Sequence, residues 1–161
     1  MSTLRRFVKY YKPHKLILTL DMIAAFLVAA IGMGYPIITR YMLNDLIPNY
    51  EENWKLIIIC GASLLGIYIV RALLRYFIQY YGHIMGVAMQ AEMRSELFSK
   101  VEKLPYSYFD EHETGKILSR ITSDLFDIVE LAHHGPENLL ISTITVIVSF
   151  IYLISINLYL T

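Results

Sequence analysis

Apolar residues fall in three long runs, separated by polar stretches of very different character. The first run, Leu16 to Ile38, reads LILTLDMIAAFLVAAIGMGYPII, and the second, Trp54 to Leu74, reads WKLIIICGASLLGIYIVRALL. The third, Leu139 to Ile156, is LLISTITVIVSFIYLISI and holds no charge at all. A helix needs about 20 mostly apolar residues to cross the hydrocarbon core of a bilayer, and all three come close to that length or exceed it. Buried helices of a soluble bundle rarely run so far without a polar face. The pattern therefore predicts an all-α polytopic membrane protein with a first span over 16–40.

The helical pattern outruns the lipid twice. No proline lies between Tyr76 and Leu104, and Met93, Leu97, Val101 and Leu104 recur at helical spacing. Glu96 and Lys100 add an i,i+4 pair in the favoured order. This predicts one helix over 54–104, about 75 Å long, of which less than half can lie in lipid. After Thr114-Gly115, an apolar stripe of Ile117, Ile121, Leu125, Ile128 and Ala132 leads into the third run. Arg120 and Asp124 form a second i,i+4 pair, and the whole is expected as a helix over 115–157. His133-His134-Gly135-Pro136 marks a bend near membrane entry, since Pro136 cannot donate to residue 132. Adjacent histidines on a helix point in different directions, so no metal site is expected there.

Between the two long helices lies LPYSYFDEHETG, Leu104 to Gly115. Pro105 closes the descending helix. Ser107-x-x-Asp110 fits a capping box opening a short helix over 107–113, and Gly115 frees the backbone after it. Tyr106, Tyr108 and Phe109 offer apolar contact area inside an acidic rim of Asp110, Glu111 and Glu113. Exposed aromatics on such a tip point to a protein partner.

The chain start, LRRFVKYY, mixes aromatic and basic residues and is expected as a short elbow helix over 4–12 lying in the membrane surface. Phe7, Tyr10 and Tyr11 would then sit at headgroup depth, and Pro13 would end the element. Asp21, about one and a half turns into the first span, is expected at the interface, and Pro36 is expected to bend that helix.

Composition agrees with the membrane reading: 56% of the 161 residues are hydrophobic and only 17% are charged, against about a quarter charged in soluble domains. Net charge is zero, which gives no argument for nucleic acid. The single cysteine, Cys60, excludes a disulfide framework. Arg5, Arg6, Lys9, Lys12 and Lys15 precede the first span, and Arg94, Lys100, Lys103, Lys116 and Arg120 lie between the second and third. NDLIPNYEEN, Asn44 to Asn53, has no basic residue. The positive-inside rule puts the N-terminus and the long polar region in the cytoplasm. The first apolar run exceeds the roughly 7–15 residues of a signal h-region, so it is read as a retained span.

Leu104-Pro105-Tyr106-Ser107-Tyr108-Phe109-Asp110, followed by Thr114-Gly115, Ser119-Arg120, Asp124 and Ile128, resembles the first intracellular loop of type I ABC exporters. The resemblance extends over the whole chain, which follows the family order of elbow, first span, outer loop and two extended helices. It implies the first three of six helices of a transmembrane domain, and a plasma-membrane location. It further implies that the tip is a coupling helix seated on a nucleotide-binding domain, through Ser107, Tyr108, Phe109, Asp110, Glu111, His112, Glu113, Thr114 and Gly115. ATP and Mg would bind in that domain, and a second transporter half, identical or different, would complete the molecule.

None of the eight glycines is followed by Lys-Ser or Lys-Thr, so the chain carries no phosphate loop. It is read as the N-terminal half of a transmembrane domain, with no catalytic, cofactor or metal residues of its own. Tyr68, Arg71, Arg75, Gln79 and His83, with Tyr76 and Tyr80 beside them, form a polar and aromatic strip and are candidates to line the substrate pathway. Arg71 and Arg75, one turn apart, are expected to face one side. Gly82-xxx-Gly86 would permit close helix approach. Efflux of a hydrophobic or amphipathic substrate, as in multidrug exporters, is the function the resemblance implies. The alternative is a stand-alone three-span adaptor that binds a soluble partner and transports nothing. No nucleophile–base constellation favours an enzyme.

Overall fold

The computed structural model describes residues 3–158, and every regular element among them is helical. Helix α1 (Thr3–Val8) passes through a 3-10 turn, Lys9–Tyr11, to α2 (Lys15–Gly32) and α3 (Gly34–Tyr41). A π-helical turn (Met42–Leu46) and a 3-10 turn (Ile47–Asn49) lead into α4 (Tyr50–Val101), 52 residues without interruption. Helices α5 (Tyr106–Glu111) and α6 (Thr114–Ser119) follow, then a π-helical turn (Arg120–Asp124) and α7 (Leu125–Ile156). Apolar windows long enough to cross a membrane lie within Lys15–Val101 and within Thr114–Ile156. The expectation of an all-α chain with long helices running past the lipid-length windows is met.

Element ends differ from the sequence reading, for local reasons. The first span is interrupted at Met33, three residues before Pro36, whose ring excludes the carbonyl four residues back and whose nitrogen has no proton to give. Helix α4 begins at Tyr50, earlier than Trp54. Pro48 shapes the preceding turn, and Glu51 and Glu52 in the first turn complement the helix dipole.

The described residues divide into two compact units: those up to Leu20 with Tyr80–Glu137, and Asp21–Gln79 with those from Asn138 onward. In the second unit, Ala24, Ala25, Val28 and Ile78 form a core, with Leu74, Phe77, Leu140 and Ile141 packed on it. Here α2 and α3 run antiparallel to α4. Ala25 shares the core with Ile78, the Gly32 α-carbon faces the Arg71 guanidinium, and the Tyr35 and Tyr68 rings meet edge to face at 5.9 Å. Asp21 is fully buried rather than exposed at an interface as its position in the span led us to expect.

In the first unit, Met85, Met89 and Met93 recur every four residues along α4 and are all buried. Met93 packs with Leu125 and Val129, and Ile121 and Ala132 are buried on the same helical run. The predicted stripe runs through Ile128, but that residue is exposed and Val129 takes its place. From Leu125 a step of three reaches Ile128 and a step of four reaches Val129, both ordinary helical spacings, and packing with Met93 selects Val129. Arg120 and Asp124 lie in the π-helical turn rather than in regular α-helix. Gly86 lies against Val129, whose Cγ1 would be 3.4 Å from an added Cβ, so the two glycines do mark a close approach.

The elbow packs onto this unit. Phe7 and Tyr10 lie on the Met93–Leu125–Val129 cluster, so these rings face protein rather than headgroups alone. The Tyr11 hydroxyl donates to the Ala132 carbonyl at 2.7 Å. That carbonyl is the one a residue at 136 would normally serve, and Pro136, inside α7, has no N–H. A tyrosine from the elbow thus supplies the hydrogen bond that the proline removes, and α7 continues through it.

Candidate functional site

The tip begins where α4 ends, with turns at Glu102–Leu104 and Pro105 in extended geometry (φ −68°, ψ 154°). Helix α5 starts at Tyr106, so Ser107 is already inside it and makes no capping hydrogen bond. The capping box read from Ser107-x-x-Asp110 is therefore not formed. The break after α5 also falls earlier than Gly115. His112 (φ −126°, ψ 131°) and Glu113 (φ −62°, ψ 113°) are extended, while Thr114 and Gly115 open α6.

Within the tip, the Tyr108 and His112 rings stack at 4.1 Å with planes 11° apart, and His112 Nδ1 lies 3.0 Å from the Tyr108 carbonyl oxygen. The Phe109 ring meets Tyr108 edge to face at 5.8 Å. Tyr108 and Phe109 are half-buried, and Ser107, Asp110, Thr114 and Gly115 are exposed. Tyr106 is 92% exposed, an apolar ring with almost no contact in this chain. Lys116 donates to Glu113 at 3.1 Å, which fixes one rim charge close to its own helix. The Glu111 side chain lies outside the described residues. Sequence reasoning named Tyr106 among the aromatics but left it out of the contact residues, although it is the most exposed of the three.

Behind the tip, the elbow is tied down by polar contacts. The Tyr10 hydroxyl donates to Glu96 Oε2, Arg6 lies 3.7 Å from Glu96 Oε1, and Lys100 donates to the same oxygen at 2.6 Å. The expected Glu96–Lys100 pair is present. Sharing its proton with Glu96 holds the Tyr10 phenol up at about 12, with burial and the negative charge of Glu96 and Glu92 acting in the same direction. Burial also raises Tyr11.

The polar strip of α4 runs through both compact units. Tyr68, Arg71, Arg75 and Gln79 belong to one unit and His83 to the other. Arg71 is half-buried over Gly32, with its Nε enclosed and without a hydrogen-bond partner, whereas Arg75 and Gln79 are exposed. Tyr68 is engaged with Tyr35. His83 meets His133 and His134, with ring centroids 5.3 Å and 5.4 Å away. The rings of His133 and His134 are themselves 4.4 Å apart, so these adjacent side chains converge, contrary to the divergence expected of neighbours on a helix. The sequence could not pair them with His83, fifty residues earlier, without knowing the register of α4 on α7.

The chain belongs to the ABC transporter transmembrane region family, which it matches over residues 18–161. It is 36% identical over 154 residues to an uncharacterized ABC transporter ATP-binding protein of Bacillus subtilis, YwjA, covering 96% of this chain and 26% of that protein. It is 31% identical over 135 residues to an ATP-dependent lipid A-core flippase of Idiomarina loihiensis, covering 80% of this chain and 22% of that protein. A putative multidrug export ATP-binding/permease protein of Bacillus subtilis, YgaD, is 19% identical over 165 residues, or 100% of this chain and 28% of that protein. The chain thus spans about a quarter of the length of these relatives. It is a membrane protein and contributes the membrane-embedded part of a transporter of this family.

Proposed function

We propose that the chain forms the first three spans of an ATP-driven exporter and carries the tip that couples nucleotide hydrolysis to movement of a hydrophobic or amphipathic substrate. The tip residues, Ser107 to Gly115, seat on a nucleotide-binding domain that holds ATP and Mg, and a second transporter half completes the pathway. The N-terminus and tip are cytoplasmic and the molecule resides in the cell membrane. The observation that carries this reading is the tip itself. A short helix in the polar stretch between two long ones presents Tyr106, 92% exposed, with Tyr108 and Phe109 beside it, in a chain that matches the family from 18 to 161. Relatives named for lipid A-core flipping and multidrug export support the substrate class.

Mechanically, closure of two nucleotide-binding domains would displace α5. The helices on either side, α4 and α7, would carry that displacement toward the membrane, because a hydrogen-bonded helix transmits force along its axis. Aromatic anchors dominate such contacts, and losing one costs on the order of 2 kcal/mol. In the full-length protein in proteoliposomes, Tyr108→Ala and Phe109→Ala are expected to reduce export on the order of tenfold. Membrane insertion and basal ATP hydrolysis should be retained. Normal export with normal substrate stimulation of ATPase in both variants would refute the assignment of the tip.

A further inference from the structure

We propose that His83, His133, His134 and Glu130 form a binding site for one divalent transition-metal ion of the zinc class, held between α4 and α7. One ligand atom from each imidazole lies within 4.8 Å of the others. Donors about 2.0–2.1 Å from a shared tetrahedral ion stand about 3.3 Å apart, so closing on a metal needs only small ring rotations. Glu130 is placed to be the fourth donor, with Oε1 3.7 Å from His83 Nδ1 and Oε2 3.5 Å from His134 Nε2. Those separations are long for hydrogen bonds and near the donor–donor spacing of a coordination shell.

A second observation singles the cluster out. His133 is 3% exposed, and neither of its ring nitrogens has a hydrogen-bond partner. A buried polar group left in this state is destabilising, and a bound cation would use it. Glu137 Oε2, also buried and without a hydrogen bond, lies 3.6 Å from His134 Nδ1. A shift of about half an ångström would let it accept a hydrogen bond from that nitrogen and leave Nε2 free to coordinate, as carboxylates behind metal-bound histidines do. Gly82 makes the space, since a Cβ there would fall 1.7 Å from the His133 ring. Three imidazoles and one carboxylate suit zinc, cobalt or nickel, whereas magnesium and calcium prefer oxygen. The site rests on side-chain geometry alone and stands whether or not the exporter reading does.

The test uses full-length protein carrying a histidine-free affinity tag, stripped with chelator and titrated with Co(II), then displaced with Zn(II). Wild type should bind one ion per chain with the visible absorption of tetrahedral cobalt. His83→Asn, His134→Asn and Glu130→Gln should each weaken binding at least about tenfold. These three side chains are half-exposed, so their replacement leaves the packing in place, as circular dichroism and gel filtration will report. A His14→Asn/His112→Asn variant should bind normally. The proposal is overturned if wild type binds neither cobalt nor zinc, if binding survives His83→Asn and His134→Asn together, or if the His14/His112 control abolishes it.

Discussion

Glycine 82 is the position where one missing atom decides the packing. A Cβ there would come within 1.7 Å of His133 Cε1, 2.3 Å of Nε2 and 2.6 Å of Nδ1, closer than any side chain tolerates. The obstruction is the body of a buried ring rather than the end of a flexible chain, so relief requires moving His133 or separating α4 from α7. Overpacking of this kind costs about 1–3 kcal/mol or more. Gly61, on the same helix, has nothing within 4 Å. Gly61→Ala should therefore be neutral or stabilising by about 0.5–1 kcal/mol through reduced backbone entropy. In thermal unfolding of the full-length protein in detergent, Gly82→Ala should lower the apparent Tm and Gly61→Ala should not. Equal Tm for Gly82→Ala and wild type would mean that the close approach is absent. The sequence flagged Gly82 and Gly86 through their spacing alone, but it could not say that the partner is a histidine.

Among elements, the elbow and α7 explain each other. Pro136 deprives the Ala132 carbonyl of its usual donor, and Tyr11 replaces that donor from outside the helix at 2.7 Å. Tyr11→Phe should leave the carbonyl unsatisfied and cost about 1–2 kcal/mol. In a Pro136→Ala background the restored N–H can serve the carbonyl, so Tyr11→Phe should cost much less there. A double-mutant cycle by equilibrium unfolding should give a coupling of about 1 kcal/mol, and additive effects would disprove the compensation. Both residues were legible in the sequence, Pro136 as a helix disturbance and Tyr11 as an elbow aromatic. Their connection was not, because it depends on tertiary register. The same limit explains the misplaced stripe. From Leu125 a step of three reaches Ile128 and a step of four reaches Val129, and only the packing against α4 decides that Val129 is the buried one. The capping box failed differently: Pro105, already extended, lets the helix begin at Tyr106 and leaves Ser107 two positions too deep to cap.

At the scale of the whole molecule, the long apolar runs, the uninterrupted pattern through α4 and the tip motif were enough to reach the family. Span length and charge asymmetry are one-dimensional properties that a bilayer reads directly. Periodicity places Arg71 and Arg75 one turn apart, yet Arg71 folds over Gly32 while Arg75 stays exposed. Which side of a span meets water depends on neighbours that lie beyond three helices. Orientation is the feature on which the coupling reading stands, and the chain offers a clean probe of it. Cys60 is the single cysteine of these 161 residues, so replacing it, together with any cysteine elsewhere in the full-length protein, by serine gives a blank background for labelling. Glu113 and Asn49 are both exposed, one at the tip and one in the turn before α4. With a membrane-impermeant maleimide, Glu113→Cys should react in inverted vesicles and not in intact cells, and Asn49→Cys should do the reverse. Reaction of Glu113→Cys from outside intact cells would place the tip away from ATP and end its role in coupling. Five basic residues precede the first span, six lie between the second and third, from Arg75 to Arg120, and none lies within Asn44–Asn53, so inverting the chain would carry those charges across the bilayer against the positive-inside bias.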